Sequence, residues 1–220
     1  MSFRKTNLVE GEYYHIYNRG NGKQKIFHDK EDYLRFMSLL YVSNSSESFN
    51  LYDLNRNTHF NVYEIERNNL LVNIGVYCLM PNHFHILITG KVEGGISKFM
   101  QKLSTAYSMY YNKRRERTGT LFEGKFKSEH VDNDRYLKYL FSYIHLNPLK
   151  LIYSNWKEEG IKNKNQALRF LKDYAFSSYQ DYLGHIRKQD KIIDKKSFTD
   201  YFPNSALFQE EIFDWISFNE

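Results

Sequence analysis

Two apolar runs, LLVNIGVYCLM (70–80) and HFHILITG (83–90), stand two residues apart, and the pair between them is Pro81-Asn82. Proline fixes its own φ and lacks an amide donor, and asparagine bends the chain readily, so the dipeptide turns the chain instead of extending either run. Runs of this length and composition suit strands, and their joint predicts an antiparallel hairpin whose second strand begins at His83. A hairpin that apolar must be covered, which requires more strands and a helical layer. Both are found on its flanks. YYHIYNRG (13–20) alternates aromatic and apolar residues and stops at Gly20, as a strand entering a loop does. DKEDYLRFMSLL then places Tyr33, Phe36, Met37 and Leu40 on one helical face behind an acidic first turn.

After the hairpin and Gly94-Gly95, helical spacing joins Ile96, Phe99, Met100, Leu103, Ala106, Tyr107, Tyr110 and Tyr111. That helix runs out in the basic cluster 113–117, and Thr118-Gly119-Thr120 ends it. A short strand is expected near 126–131. Asp132 or Asn133 can then cap a helix carrying Tyr136, Tyr139, Leu140, Tyr143 and Asn147, which Pro148 stops. The order strand, helix, strand, strand, helix, strand is the split βαβ plan of an α+β, ferredoxin-like (RRM-like) domain, with an antiparallel sheet, helices on one face and one helix added. The expected organisation is one domain over 1–150, interrupted by a polar insert at about 44–69, and a helical extension over 151–220 packed upon it. The extension carries a helical pattern around 166–174, the aromatic stretch YAFSSYQDYLG and the amphipathic end ALFQEEIFDWI.

Composition narrows the function. The lone cysteine, Cys78, permits neither an internal disulfide nor a zinc-finger framework, which points to a reducing, cytoplasmic setting. The N-terminal residues lack the apolar core of a signal peptide, and the longest apolar run falls short of the roughly 20 residues that span a bilayer, so no membrane role is expected. A formal charge of +5 with 17% aromatic residues suits single-stranded nucleic acid, where cations meet phosphates and rings stack on unpaired bases. The charge is uneven: residues 101–130 hold seven Lys/Arg against three Asp/Glu, and 191–220 hold three against six.

Three constellations carry chemistry. In His83-Phe84-His85 the strand period sends both imidazoles to one face and Phe84 to the other. Two such rings suit a divalent cation with a third oxygen ligand, although a bare His-x-His is more often an ordinary hydrogen-bonded pair. Tyr143 and Asn147 lie four apart on one helix and can address one site, Asn147 as a neutral oxygen ligand and Tyr143 as a nucleophile. A phenol with a pKa near 10 attacks poorly unless a cation assists, and Tyr143 shares much of its face with Tyr136 and Tyr139, as a packing residue would. His145 points elsewhere and is read as structural. The third is the basic run Lys113, Arg114, Arg115 and Arg117, followed by Lys125 and Lys127 flanking Phe126. It is either a solvated helix end or a phosphate-tracking rim with Phe122 or Phe126 free to stack.

Taken together, YHIYNRGNGKQKIF, YCLMPNHFHILI, RTGTLFEGKFKS and YIHLNP resemble, in order and spacing, the single-tyrosine HUH-endonuclease transposases, in particular the REP-associated tyrosine transposases and their insertion-sequence relatives. The resemblance spans about 12–150. It implies that His83 and His85 are the HUH histidines, Tyr143 the catalytic tyrosine on the added helix, and Asn147 the third metal ligand. It further implies Mg2+ or Mn2+ as cofactor, no organic cofactor, and single-stranded or hairpin DNA as partner, cut and rejoined through a 5′-phosphotyrosine. Arg19, Lys113, Arg114, Arg115, Arg117, Lys125 and Lys127 are then the expected nucleic-acid-binding residues. A homodimer and a monomer both remain open, as do two other readings: a domesticated hairpin DNA- or RNA-binding protein without chemistry, and a metal phosphoesterase using activated water.

Overall fold

The computed structural model describes residues 8–47 and 61–217. Its sheet consists of β1 (Tyr13–Arg19), β2 (Val72–Met80), β3 (His83–Gly90) and β4 (Lys127–Val131), in the order β2-β3-β1-β4 with every neighbouring pair antiparallel. This is the expected ferredoxin-like arrangement. The Pro81-Asn82 turn joins β2 to β3 directly, so Met80 pairs with His83. The expected strand boundaries shift by two residues for β2 and one for β4.

Helices α1 (Lys30–Val42) and α2 (Gly95–Arg114) cover one face. The Asp29 side chain accepts the amides of Glu31 and Asp32 and so starts α1, satisfying donors that the first turn leaves open. Phe36, Met37 and Leu40 of α1 and Phe99, Met100, Leu103 and Tyr107 of α2 pack on Ile16, Phe84, Ile86 and Ile88 of the sheet. Phe36 sits at the centre, with Phe84 at 5.1 Å and Tyr107 at 4.9 Å between ring centroids.

The opposite face is covered as well. Helix α3 (Asp134–Leu146), capped by Asn133, lies across it and continues as a 3-10 turn from Asn147 through Pro148. Helices α4 (Lys164–Asp173) and α5 (Ser205–Ser217) of the extension join the same core, where Val76, Cys78, Met80 and Leu87 of the sheet meet Phe141, Ile144, Leu171, Tyr179 and Phe208. With both faces buried, β2 and β3 read as continuous apolar runs, whereas β1 and β4 keep some alternation. Of the expected insert, 48–60 lies outside the described residues. Asn44 closes its near end, its side chain accepting from Leu71 N and Val72 N and donating to Val72 O.

The extension also covers the free edge of β2, an edge that would otherwise invite pairing with another chain. Leu79 N donates to Phe176 O at 3.0 Å, Ser178 N to Tyr77 O at 3.0 Å and Asp194 N to Ile74 O at 2.8 Å. Gly75, at a register shift in β2, receives the Phe198 ring: a Cβ built there would lie 2.8 Å from it. Gly75→Ala should therefore cost about 1–3 kcal/mol, as overpacking does, seen as a lower urea midpoint. The same substitution made in a Phe198→Ala background should cost measurably less, and equal costs in both backgrounds would refute the contact.

Candidate functional site

Register places the chemistry. In the β1–β3 ladder His83 stands opposite Arg19 and His85 opposite Tyr17. Directly opposed residues share a face, so these four project toward α3, and His15, two residues back along β1, projects with them. Phe84 projects the other way onto Phe36 and Phe122. The His83 and His85 rings are 5.0 Å apart and nearly perpendicular. Tyr143, arriving from α3, meets His85 edge-on at 5.9 Å and His15 at 6.2 Å. Tyr143 thus meets His85 and His15 within a single chain, with His83 beside His85.

Each of these imidazoles has its Nδ1 engaged. His83 Nδ1 lies 2.7 Å from Asn82 Oδ1, and His85 Nδ1 lies 2.9 Å from His15 Nε2. That leaves Nε2 of each ring for a ligand. Burial pushes His83 down to about 4, with the Lys150 and Arg19 cations adding to the effect. Burial likewise holds His85 well below the ordinary histidine value, helped by His15, His83 and Lys150. His15 falls to about 4 because burial outweighs the pull of Glu129. All three rings are therefore neutral at pH 7, the form that binds metal.

Asn147 follows α3 directly and is buried. Its Nδ2 donates to Tyr143 O at 2.9 Å, and its Oδ1 accepts from Lys150 Nζ at 3.2 Å. Lys150 Nζ also stands 5.6 Å from the Tyr143 ring centroid. Among the described residues no group of three or more His, Cys, Asp or Glu side chains is placed to hold a metal ion. Two neutral imidazoles with Nδ1 engaged offer a divalent cation two nitrogen donors.

Outward from Tyr143 runs an aromatic ladder. Tyr139 stacks on it at 5.6 Å, Tyr136 stacks on Tyr139 at 6.1 Å, and Trp215 of α5 meets Tyr139 edge-on at 5.3 Å. Tyr136, Tyr139 and Trp215, with Arg135, Lys138, Asp134 and Glu211, line an open groove of about 620 Å³.

The basic residues divide. Lys113, Lys125 and Lys127 are exposed, and Lys127 pairs with Tyr17 in the β1–β4 ladder, on the face of the histidines. Arg19 is engaged by Glu123 through Nε and Nη2. Arg117 donates to Gln24 Oε1 and Thr120 O, tying the end of α2 to the loop after β1. Arg114 and Arg115 both pair with Asp29 and Asp32 at the start of α1, and Arg114 also with Glu31. They bind α2 to α1, Arg114 through Nη1 and Nη2 and Arg115 through Nη2. Phe122 is not available for stacking either, being buried against Phe84 and Tyr107, and Phe126 packs on the same core. His145 is structural as expected, fully buried with Nε2 2.8 Å from Ser178 Oγ.

Three further residues of the site escaped the sequence reading: His15, Glu129 and Lys150. The alternation in YYHIYNR puts His15 on one face with Tyr17 and Arg19, but only the strand order brings that face beside His85. Glu129, on β4, accepts from Tyr17 Oη at 2.8 Å and from Tyr136 Oη at 3.2 Å. Burial and this bond push the Tyr17 phenol up to about 12, so Tyr17 stays protonated.

The model of the IS200-like transposase family matches residues 9–147, and the chain belongs to that family. Among solved structures, it is similar to the REP-associated tyrosine transposase bound to a REP hairpin, at 13% identity and a TM-score of 0.49 over 90% of this chain and 96% of that one. The comparison with curated proteins finds no match. Among the described residues no helix is long and apolar enough to cross a membrane.

The arginine cluster has a pH signature. The Arg114 hydrogen bond holds the Asp29 carboxyl down at about 2. Asp32, although burial pulls it the other way, is also lowered, by the His28 amide and both guanidinium groups. A lowered carboxyl adds stability that is complete above the unfolded value near 4 and is lost as pH falls through the folded value. Replacing Arg114 and Arg115 with alanine should depress Tm at pH 7, and the deficit should shrink between pH 4 and pH 2. A deficit that stayed constant over that range, followed by circular dichroism, would remove the ion pairs as its cause.

Proposed function

We propose that this chain is a metal-dependent single-stranded DNA endonuclease and strand transferase that cuts and rejoins DNA beside hairpins. The observation carrying this reading is the meeting of the Tyr143 phenol with the His83–His85 pair, at 5.9 Å between the Tyr143 and His85 rings. Family membership agrees with it.

His83 Nε2, His85 Nε2 and Asn147 Oδ1 would hold a divalent cation, Mg2+ or Mn2+. When bound, such an ion supplies Lewis-acid withdrawal of charge from the scissile phosphate. Tyr143 is the nucleophile: its Oη forms a bond to phosphorus, the bond to the 3′-oxygen breaks, and the phenolic proton ends on that oxygen. The products are a 5′-phosphotyrosine and a free 3′-hydroxyl. Because the phosphodiester bond is exchanged and not hydrolysed, a 3′-hydroxyl can reverse the step and reseal DNA without ATP. The stack of Tyr139 on Tyr143 restrains the phenol, so less orientational freedom is lost at the moment of attack. Lys150 donates to Asn147 Oδ1, and its ammonium, 5.6 Å from the Tyr143 ring centroid, would attract a phosphate oxygen brought to the phenol. Arg19, Lys113, Arg117, Lys125 and Lys127 form the phosphate-tracking rim, in which Arg19 stands directly opposite His83 and Lys127 pairs with Tyr17 on the same face. Arg114 and Arg115 are left out of the rim because each is tied to two carboxylates, Asp29 and the buried Asp32, whereas Arg19 meets the single half-exposed carboxylate of Glu123 and Arg117 meets neutral oxygens.

Incubating the protein with single-stranded hairpin DNA and Mn2+, followed by a denaturing gel, tests the reading. A covalent protein–DNA adduct is expected. Tyr143→Phe should reduce it to background while hairpin affinity stays within about threefold, under 1 kcal/mol. His83→Ala with His85→Ala should abolish metal-dependent adduct formation. Cleavage without an adduct would favour activated water, and binding without cleavage a hairpin-binding protein. An adduct that persists in Tyr143→Phe would transfer the role to Tyr139.

A further inference from the structure

His15 lies at the centre of the sheet, 5% exposed, with its Nε2 2.9 Å from His85 Nδ1 and the two ring planes 22° from parallel. Its own Nδ1 is buried, makes no hydrogen bond and faces Glu129 Oε2 at 3.7 Å. Two neutral imidazoles in contact can share only one proton between the touching nitrogens, so one must donate and the other accept. The direction is settled by what lies beyond each ring. A proton on His15 Nδ1 faces a carboxylate, whereas a lone pair there would face the same negative charge. His15 therefore carries its proton on Nδ1 and presents its Nε2 lone pair to His85. His85 must then donate from Nδ1, which leaves the lone pair of its Nε2 pointing into the site.

We propose that His15 is a positioning residue that fixes the tautomer and ring orientation of His85 for metal ligation through Nε2, with Glu129 setting the polarity of the chain. This rests on the metal reading of the same site. A ligating histidine whose other nitrogen donates to a partner is held in one tautomer and is the more basic ligand for it. The usual partner is a carboxylate or a carbonyl; here a second imidazole stands between the ligand and the carboxylate. Glu129 is itself held by the Tyr17 and Tyr136 hydroxyls, so its charge keeps its place beside β1.

Two measurements test this, and the first needs neither metal nor activity. In the metal-free protein, long-range ¹H–¹⁵N NMR correlations should show His85 and His15 both protonated on Nδ1. His15→Phe, which removes the acceptor but keeps a ring, should move His85 toward the Nε2–H tautomer. His15→Gln, whose amide oxygen can still accept, should keep His85 protonated on Nδ1. An Nε2–H tautomer at His85 in the parent protein would overturn the proposal, whatever the fate of the metal site. The second measurement is Mn2+ affinity without DNA, followed by the electron paramagnetic resonance signal of free Mn2+. His15→Phe should weaken binding by about tenfold to hundredfold, the scale of lost outer-shell partners, and His15→Gln should recover most of it. Parent-like affinity in His15→Phe would refute the positioning role. Absence of Mn2+ binding in the parent would remove the metal reading and the role built on it, while the tautomer result would still stand or fall separately.

Discussion

The register between β1 and β3 is the constraint on which the rest depends. Side chains alternate along a strand, so a slip of one residue would turn His83 and His85 into the layer of Phe36 and Tyr107 and bring Phe84 out toward α3. Phe84 prevents this by packing at 5.1 Å from Phe36, a contact that no imidazole could replace without burying unpaired nitrogens. The two-residue turn at Pro81-Asn82 holds the opposite edge of β3 with equal firmness, and Asn82 adds its own bond to His83. The apolar residue between the histidines and the polar residue before them thus set where the rings point and which nitrogen of His83 is engaged.

Electrostatics then follows from placement. Three imidazoles crowded into a buried site cannot ionise together at neutral pH, since each would lose solvation and repel the others. The site therefore keeps three neutral rings and one nearby ammonium, Lys150, against the carboxylate of Glu129. Such an arrangement offers lone pairs without carrying negative charge of its own at the ligands. A cation bound there would keep most of its charge for a phosphate, which a cluster of carboxylate ligands would largely cancel.

Much of this was legible in the sequence, because the signals concerned are local. Hairpin, helix faces and caps depend on neighbours within a few residues, and the pairing of Tyr143 with Asn147 needs only helical spacing. The elements that α3 and the extension cover are longer-range. The unbroken apolar runs of β2 and β3 already carried a hint, since strands covered on one face alternate and these do not. His15, Glu129 and Lys150 were missed for a related reason: each becomes part of the site only when β1, β4 and the 3-10 turn are folded around β3. The ion pairs of Arg114 and Arg115 were hidden for the same reason. A basic run at a helix end looks the same whether it faces solvent or an acidic helix start, and the partner, Asp29 to Asp32, lies over eighty residues away in the chain.

The extension bears on how the site is held. The core on the α3 side is shared: Val76, Cys78 and Met80 of β2, Phe141 and Ile144 of α3, and Leu171, Tyr179 and Phe208 of the extension are buried against one another. Helix α3 therefore lies between the sheet and the extension, clamped from both sides, and Trp215 of α5 reaches its outer face beside Tyr139. The family model ends at 147, before most of these contacts are made. A chain cut there would leave the apolar side of α3 and the edge of β2 without cover, which at roughly 25 cal/mol per Å² of apolar surface is a heavy loss for a small sheet. The boundary that sequence similarity draws after the tyrosine helix is thus not a boundary of packing, and the position of the Tyr143 ring beside His85 is a property of the sheet and the extension acting together.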